Sequence, residues 1–251
     1  MRPPAPVAVI TGGSRGIGAA TAMELARRGW DVCIGYRTRL DAAERVGQQC
    51  RRFGRTATVE AVDVADEDAV GAFFETVDQT LGTMDVLVNS AGIVAPQARV
   101  EDIDGQRLAR MFAVNVTGSF LCAREAVRRM STSNGGMGGT IVNVSSAASR
   151  LGSPGEYVDY AASKAAIDTM TVGLAKEVAD EGIRVNAVRP GLIETDIHAS
   201  GGRPGRPALL APMIPMKRPG QATEVAFAIA WLCSTEASYV TGALIDVSGG
   251  R

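Results

Sequence analysis

Histidine is almost absent: His198 is the single one in 251 residues. One imidazole excludes His-rich metal chemistry, and no metal site is expected. Cysteine is sparse as well. Cys33, Cys50, Cys122 and Cys233 are scattered without a close pair, which argues against a zinc site or a disulfide framework and suits a reducing cytoplasm. Charge of one sign is not in excess. Lys and Arg total 26 against 27 Asp and Glu, a formal net charge of -1, so nothing calls for a nucleic-acid partner or a basic membrane-binding face. Long hydrophobic runs are missing too. None approaches the roughly 18 apolar residues of a transmembrane helix. The proline-rich start Met1-Arg2-Pro3-Pro4-Ala5-Pro6 is followed by no apolar stretch with a cleavage site, so it does not read as a signal peptide.

What is present is the composition of a globular chain, 46% hydrophobic and 21% charged, long enough for one domain with a sizeable core. Short apolar runs alternate with segments of helical periodicity. Strands are expected over Val7–Thr11, Asp31–Tyr36, Ala57–Val62, Asp85–Asn89, Thr140–Val144, Ile183–Val188 and Ala243–Val247. Between them, helices are expected over Gly16–Arg28, Leu40–Phe53 with Thr38 as N-cap, Asp66–Leu81 capped near Asp66, one long helix Gly105–Met130, a helix around Tyr160, and Ala222–Cys233. The strands are continuous apolar runs, as required when both faces of a sheet are covered. The whole chain, 1–251, therefore reads as one α/β domain of Rossmann type, with a doubly wound, mainly parallel sheet of about seven strands and helices on both faces. Gly and Pro are dense from Ala199 to Pro219, and a lid over about 192–219 is expected there.

Two stretches carry chemistry. The first is Thr11-Gly12-Gly13-Ser14-Arg15-Gly16-Ile17-Gly18, between the first strand and the first helix. Glycines let the backbone turn sharply and approach a pyrophosphate, and a helix N-terminus offers it unpaired N–H groups. The second is Tyr160-Ala161-Ala162-Ser163-Lys164. On a helix, positions four apart lie one above the other, so a phenol and an ammonium share one space. An ammonium near a phenol favours the phenolate and lowers its pKa from about 10. Such a pair can pass a proton to or from a substrate oxygen.

The glycine turn, Asn89-Ser90-Ala91-Gly92, Asn115, Ser146, the Tyr160–Lys164 stretch and Pro190-Gly191 occur in that order. In order and spacing the chain resembles the short-chain dehydrogenases/reductases, over about Val7 to Gly250. The tract leading to Tyr160 is similar to a subgroup labelled glucose-dehydrogenase-like or 3-oxoacyl-carrier-protein-reductase-like. The resemblance implies a small carbonyl or secondary-alcohol substrate, hydride exchange with a nicotinamide, and a homotetramer or homodimer. It implies that Ser146, rather than Ser145, polarises the carbonyl and that Tyr160 is the general acid or base. Lys164 would hold the nicotinamide ribose and depress the Tyr160 pKa. Asn115 would bind a water through its backbone, the alternative being a buried Asn satisfied by neighbouring backbone. Asp63 would cap the adenine amine and Val64 would cover the ring. Ala91 and Gly92 let the backbone run against the cofactor. Asn89 reads as a tie between strands. Pro190, Gly191, Ile193 and Thr195 would fold over the nicotinamide.

Cofactor choice is read from the end of the second strand, where an acidic residue would select NAD. The sequence there is Ile34-Gly35-Tyr36-Arg37-Thr38, without a carboxylate. Arg37 and Arg15 supply two positive charges and Thr38 a hydroxyl, which favours NADP(H), with NAD(H) or a sugar dehydrogenase as the alternative. Tyr157 reads as a cleft wall and His198 as a solvent-facing lid residue. Met213 and Met216 either line the apolar inner face of the lid or only pack it. A remote alternative is a catalytically silent cofactor-binding regulator.

Overall fold

In the computed structural model, residues 5–251 are described, apart from the side chain of His198. The start of the lead-in, Met1 to Pro4, and the expectation for the His198 side chain lie outside the described residues. Elements follow one another as β1 (Val7–Thr11), α1 (Gly16–Arg27), β2 (Asp31–Tyr36), α2 (Leu40–Arg52), β3 (Ala57–Ala61), α3 (Glu67–Thr80) and β4 (Val86–Asn89). Then come α4 (Gly105–Phe112), a π turn (Ala113–Thr117), α5 (Gly118–Met130), β5 (Gly139–Val144), α6 (Ala148–Leu151), α7 (Val158–Glu177) and β6 (Ile183–Pro190). The chain ends with β7 (Ile193–Glu194), α8 (Ile197–Ser200), α9 (Arg206–Leu210), β8 (Gly220–Gln221), α10 (Ala222–Leu232) and β9 (Leu244–Val247).

Seven strands pair in the order β3-β2-β1-β4-β5-β6-β9, every pair parallel. Successive side chains of a strand point to opposite faces, and the core divides accordingly. Val7, Val9, Leu87, Ile141 and Val185 pack with α3, α5 and α7. Their neighbours Ala8, Ile10, Val86, Val88, Val142 and Val188 pack with α1, α2 and α10. This two-sided burial is why the strands carry no polar alternation. The order reverses between β1 and β4, which opens a crevice at the carboxyl ends of those strands.

Buried polar groups tie the sheet to α7. Asn89 Nδ2 donates to Asn143 Oδ1 at 3.0 Å and to the Ser119 carbonyl at 3.2 Å. Asn143 Nδ2 donates in turn to Thr171 Oγ1 at 2.9 Å. Unpaired, such groups would cost about 1–3 kcal/mol each.

Several expectations need correction. The long helix after β4 is interrupted: Asn115 is fully buried and turned inward, and the chain accommodates it with a π turn between α4 and α5. Thr38 does not cap α2, because Arg39 holds the cap position and no side chain closes it. The cap at Asp66 does form, its carboxylate accepting from the Ala69 N–H at 3.1 Å. The Gly/Pro-rich excursion contains α8, α9 and a 3-10 turn, and the short parallel pair β7–β8 pins its two ends together.

The first turn depends on the absence of two side chains. A Cβ on Gly18 would lie 2.4 Å from the Gly12 carbonyl oxygen, and Gly12 has φ +65° and abuts Ala91. Gly18→Ala is expected to destabilise the fold by about 1–3 kcal/mol. Gly71 in α3 has open space around it and no positive φ, so Gly71→Ala is expected to stabilise by about 0.5–1 kcal/mol. Denaturant unfolding of the two variants measures both signs.

Candidate active site

The crevice at the strand ends collects segments far apart in the chain. Gly12, Ser14, Arg15, Gly16 and Ile17 line it from the β1–α1 turn. Arg37 and Thr38 line it after β2, and Asp63 and Val64 after β3. Ala91 and Gly92 line it after β4, Ser146 after β5, and Tyr160 and Lys164 from α7. Pro190, Gly191, Ile193 and Thr195 close the side after β6. Gly18, Asn89 and Asn115, the remaining sequence-selected positions, stand behind this lining rather than in it.

The α1 end of the crevice is positively charged. The N-cap position of α1 is Arg15, and no side chain caps the helix. The first-turn N–H groups thus keep the partial positive charge of an uncapped helix start. Arg15 and Arg37 are exposed and have no carboxylate partner among the described residues. Arg39, a neighbour that sequence reasoning did not select, also lines the crevice but is paired with Asp41 at 3.1 Å. Asp63 accepts from the Ala65 N–H at 3.1 Å and pairs with Arg110 at 3.1 Å. Burial alone would raise this carboxyl. The Ala65 N–H and the charges of Arg110 and Arg37 outweigh it and hold Asp63 below the usual carboxylate range.

At the other end, α7 turns Tyr160 and Lys164 toward the same space. The Lys164 ammonium lies 5.8 Å from the centre of the Tyr160 ring and donates to the Val144 carbonyl at 2.8 Å. Burial lowers Lys164 to about 8, and the Asp168 carboxylate pulls the other way. Tyr160 corrects a sequence expectation. Burial pushes its phenol up, and the opposing influence is the hydrogen-bonded Ser146 hydroxyl rather than the Lys164 charge. The phenol therefore stays protonated at neutral pH, which suits a proton donor.

The two serines after β5 differ in use. Ser145 is buried and its hydroxyl donates to the Lys164 carbonyl at 3.1 Å, fixing the strand to α7. Ser146 Oγ accepts from the Ala148 N–H at 3.1 Å and faces Tyr160. Asn115 holds the loop after β4. Its Oδ1 accepts from the Ile93 N–H at 2.8 Å, and its Nδ2 donates to the Ile93 carbonyl and to Ser163 Oγ, both at 3.0 Å. Its own carbonyl accepts the Ser119 hydroxyl at 3.0 Å. The Ile93 backbone and the Ser163 hydroxyl together satisfy the Asn side chain.

Tyr157 is buried and lines the crevice, its hydroxyl 3.5 Å from the Gly201 carbonyl. Met213 and Met216 are exposed and do not line it, while Ile214 between them is fully buried. Sequence reasoning missed Arg206, which comes from α9 to stand over the Tyr157 ring. No local pattern marks an arginine within a Gly/Pro-rich stretch.

A phenol, a hydroxyl and an ammonium thus converge at one end of a crevice whose other end offers helix N–H groups and free guanidinium charge. Such a site can hold a phosphorylated nucleotide and exchange a proton with a polarised oxygen.

Comparison with known proteins agrees with this geometry. Residues 12–251 match the family model described as Enoyl-(Acyl carrier protein) reductase. The chain is 56% identical over 245 residues to "Uncharacterized oxidoreductase YgfF" of Escherichia coli (strain K12), covering 98% of this chain and 99% of that one. It is 37% identical to "Glucose 1-dehydrogenase 2" of Bacillus subtilis (strain 168), over 97% of this chain and 93% of that one. A short chain dehydrogenase from Burkholderia cenocepacia J2315, solved in complex with NADP, superposes with a TM-score of 0.89 at 31% identity, over 98% of this chain and 97% of that one.

Proposed function

The chain belongs to the short-chain dehydrogenase/reductase family of oxidoreductases, and from that premise we propose that it is an NADP(H)-dependent enzyme interconverting a carbonyl and a secondary alcohol. One observation carries the reading: Tyr160, Ser146 and Lys164 open on the same crevice as the uncapped α1 N-terminus. The residues present fit a dinucleotide, since Arg15 and Arg37 bring unpaired charge to the position of a 2′-phosphate and no carboxylate stands at the end of β2. When bound, the nicotinamide supplies or accepts the hydride.

The chain's own residues do the rest. Gly12, Ser14, Gly16 and Ile17 present backbone to the pyrophosphate, and Asp63 and Val64 receive the adenine. Ala91 and Gly92 let the sheet approach closely. Ser146 donates to the substrate oxygen and Tyr160 gives it a proton during reduction or takes one during oxidation. Lys164 holds the ribose hydroxyls with its buried ammonium. Gly191, Ile193 and Thr195 cover the nicotinamide, and the segment 192–219 excludes water above it. The chain is one catalytic unit in this reading, and the cytoplasm is the compartment that its buried thiols suit. Exposed Leu108, Phe112 and Phe120, together with the edge strand β9, favour a homotetramer or homodimer.

Lys164 gives the reading a pH dependence. Below about pH 8 the ammonium is charged. As pH rises through that value the site loses its positive charge, so NADPH affinity is expected to fall by calorimetry. Lys164→Met is expected to bind weakly at every pH, without that inflection. The raised phenol has the complementary sign: oxidation needs Tyr160 deprotonated and should speed up with rising pH, while reduction should not.

The experiment is a spectrophotometric screen of ketones, aldehydes, sugars, steroids and acyl thioesters with NADPH, and of alcohols with NADP. Turnover of any class supports the reading. A panel that never oxidises NADPH or reduces NADP overturns it in favour of the silent regulator.

A further inference from the structure

Beyond the reacting groups and the arginines near α1, the crevice is lined by a further guanidinium. Arg206 lines it beside Tyr157, and its guanidinium lies 5.2 Å from the centre of the Tyr157 ring. Arg206 Nη2 donates to the Glu156 carboxylate. That carboxylate stands outside the lining, and its other oxygen accepts Gln97 Nε2 at 2.7 Å. The guanidinium is thus braced from the side of the protein by α9, the loop before α7 and the loop after β4. Its Nε is buried and has no hydrogen-bond partner among the described residues. Its Nη1 is neither enclosed nor hydrogen-bonded among the described residues, so its N–H groups are free to meet a ligand. Charge near this arginine is net positive. Arg203 and Arg107 act on the Tyr157 ring with Arg206, against Glu156, and Arg107 is itself paired with the buried Asp159 at 2.7 Å.

We propose that Arg206 is a substrate-binding residue that recognises a carboxylate carried by the substrate away from its reacting carbonyl, so that the enzyme favours oxo acids and hydroxy acids. The assignment rests on the oxidoreductase reading above and deepens it. A guanidinium offers donors in a fixed planar fork matched to carboxylate oxygens. With Nη2 engaged by Glu156 and Nε enclosed by protein, Nη1 remains for a ligand oxygen. Tyr157 beneath the guanidinium sets its plane, and the substrate carbon skeleton spans from there to Ser146 and Tyr160. Burial at this end strengthens the contact relative to water.

The test measures kcat/KM with NADPH for 3-oxobutanoate, 4-oxopentanoate and 4-oxocyclohexanecarboxylate, each against its methyl ester. The wild type is expected to favour at least one acid over its ester by about tenfold or more. Arg206→Leu is expected to remove that preference, chiefly through KM for the acid, while ester turnover and NADPH affinity stay close to wild type. Arg206→Lys is expected to restore part of it. Glu156→Gln separates recognition from bracing: it removes the competing negative charge, so the acid preference should persist or grow. Equal loss of acid and ester turnover in Arg206→Leu and Glu156→Gln would show a brace and overturn the proposal. Wild-type reduction of esters as readily as acids overturns the proposal and leaves the oxidoreductase reading standing. Turnover of no acid, ester or neutral ketone sinks both.

Discussion

Tyr160→Phe is expected to lower kcat for carbonyl reduction at least about a hundredfold while leaving NADPH affinity largely intact. Removing one oxygen leaves the ring and its packing in α7 in place, so binding should survive. What is lost is the phenol that burial keeps protonated and the Ser146 hydroxyl contacts. Without it the developing alkoxide has Ser146 as its remaining side-chain donor. Ser146→Ala should show a smaller loss, because Tyr160 can still deliver the proton. Turnover of Tyr160→Phe near wild type, with NADPH still bound, would remove Tyr160 from the reaction.

The second large effect concerns cofactor choice. Arg37→Asp is expected to lower kcat/KM with NADPH by about tenfold to a hundredfold, the loss that a charge-assisted phosphate contact carries. The same change places a carboxylate at the end of β2, where it can accept from a ribose 2′-hydroxyl, so kcat/KM with NADH should rise. Arg15 retains its charge, and adding Arg15→Ala should deepen the NADPH loss. Arg39→Ala should matter much less, since that guanidinium is already engaged by Asp41. An unchanged NADPH-to-NADH ratio in Arg37→Asp would remove the 2′-phosphate assignment.

The seven strands were legible because each is covered on both faces, and the resulting unbroken apolar runs such as Val7–Thr11 admit few other readings. The parallel order of these strands gathers their carboxyl ends, so motifs distant in sequence fall together in one crevice. Other features depend on tertiary contacts. Apolar periodicity runs through the π turn at Asn115, which arises from a side chain reaching the Ile93 backbone. The strands β7 and β8 span two residues each, too short for any pattern to register. The pKa of Tyr160 illustrates the same division. Spacing places a lysine four residues on, yet the local medium decides the sign, and burial outweighs the Ser146 hydroxyl. Arg206 has no sequence signature because its significance comes from Tyr157 and Glu156 being folded beneath and behind it.

The central claim is hydride exchange in this crevice, with proton delivery from Tyr160. Its most direct measurement is a single turnover with NADPH deuterated at the nicotinamide C4 and a carbonyl substrate found by the screen. The account predicts deuterium on the carbinol carbon of the product in the wild type, and none within the same time in Tyr160→Phe loaded with the same cofactor. A product free of deuterium, or equal transfer by both proteins, would contradict it.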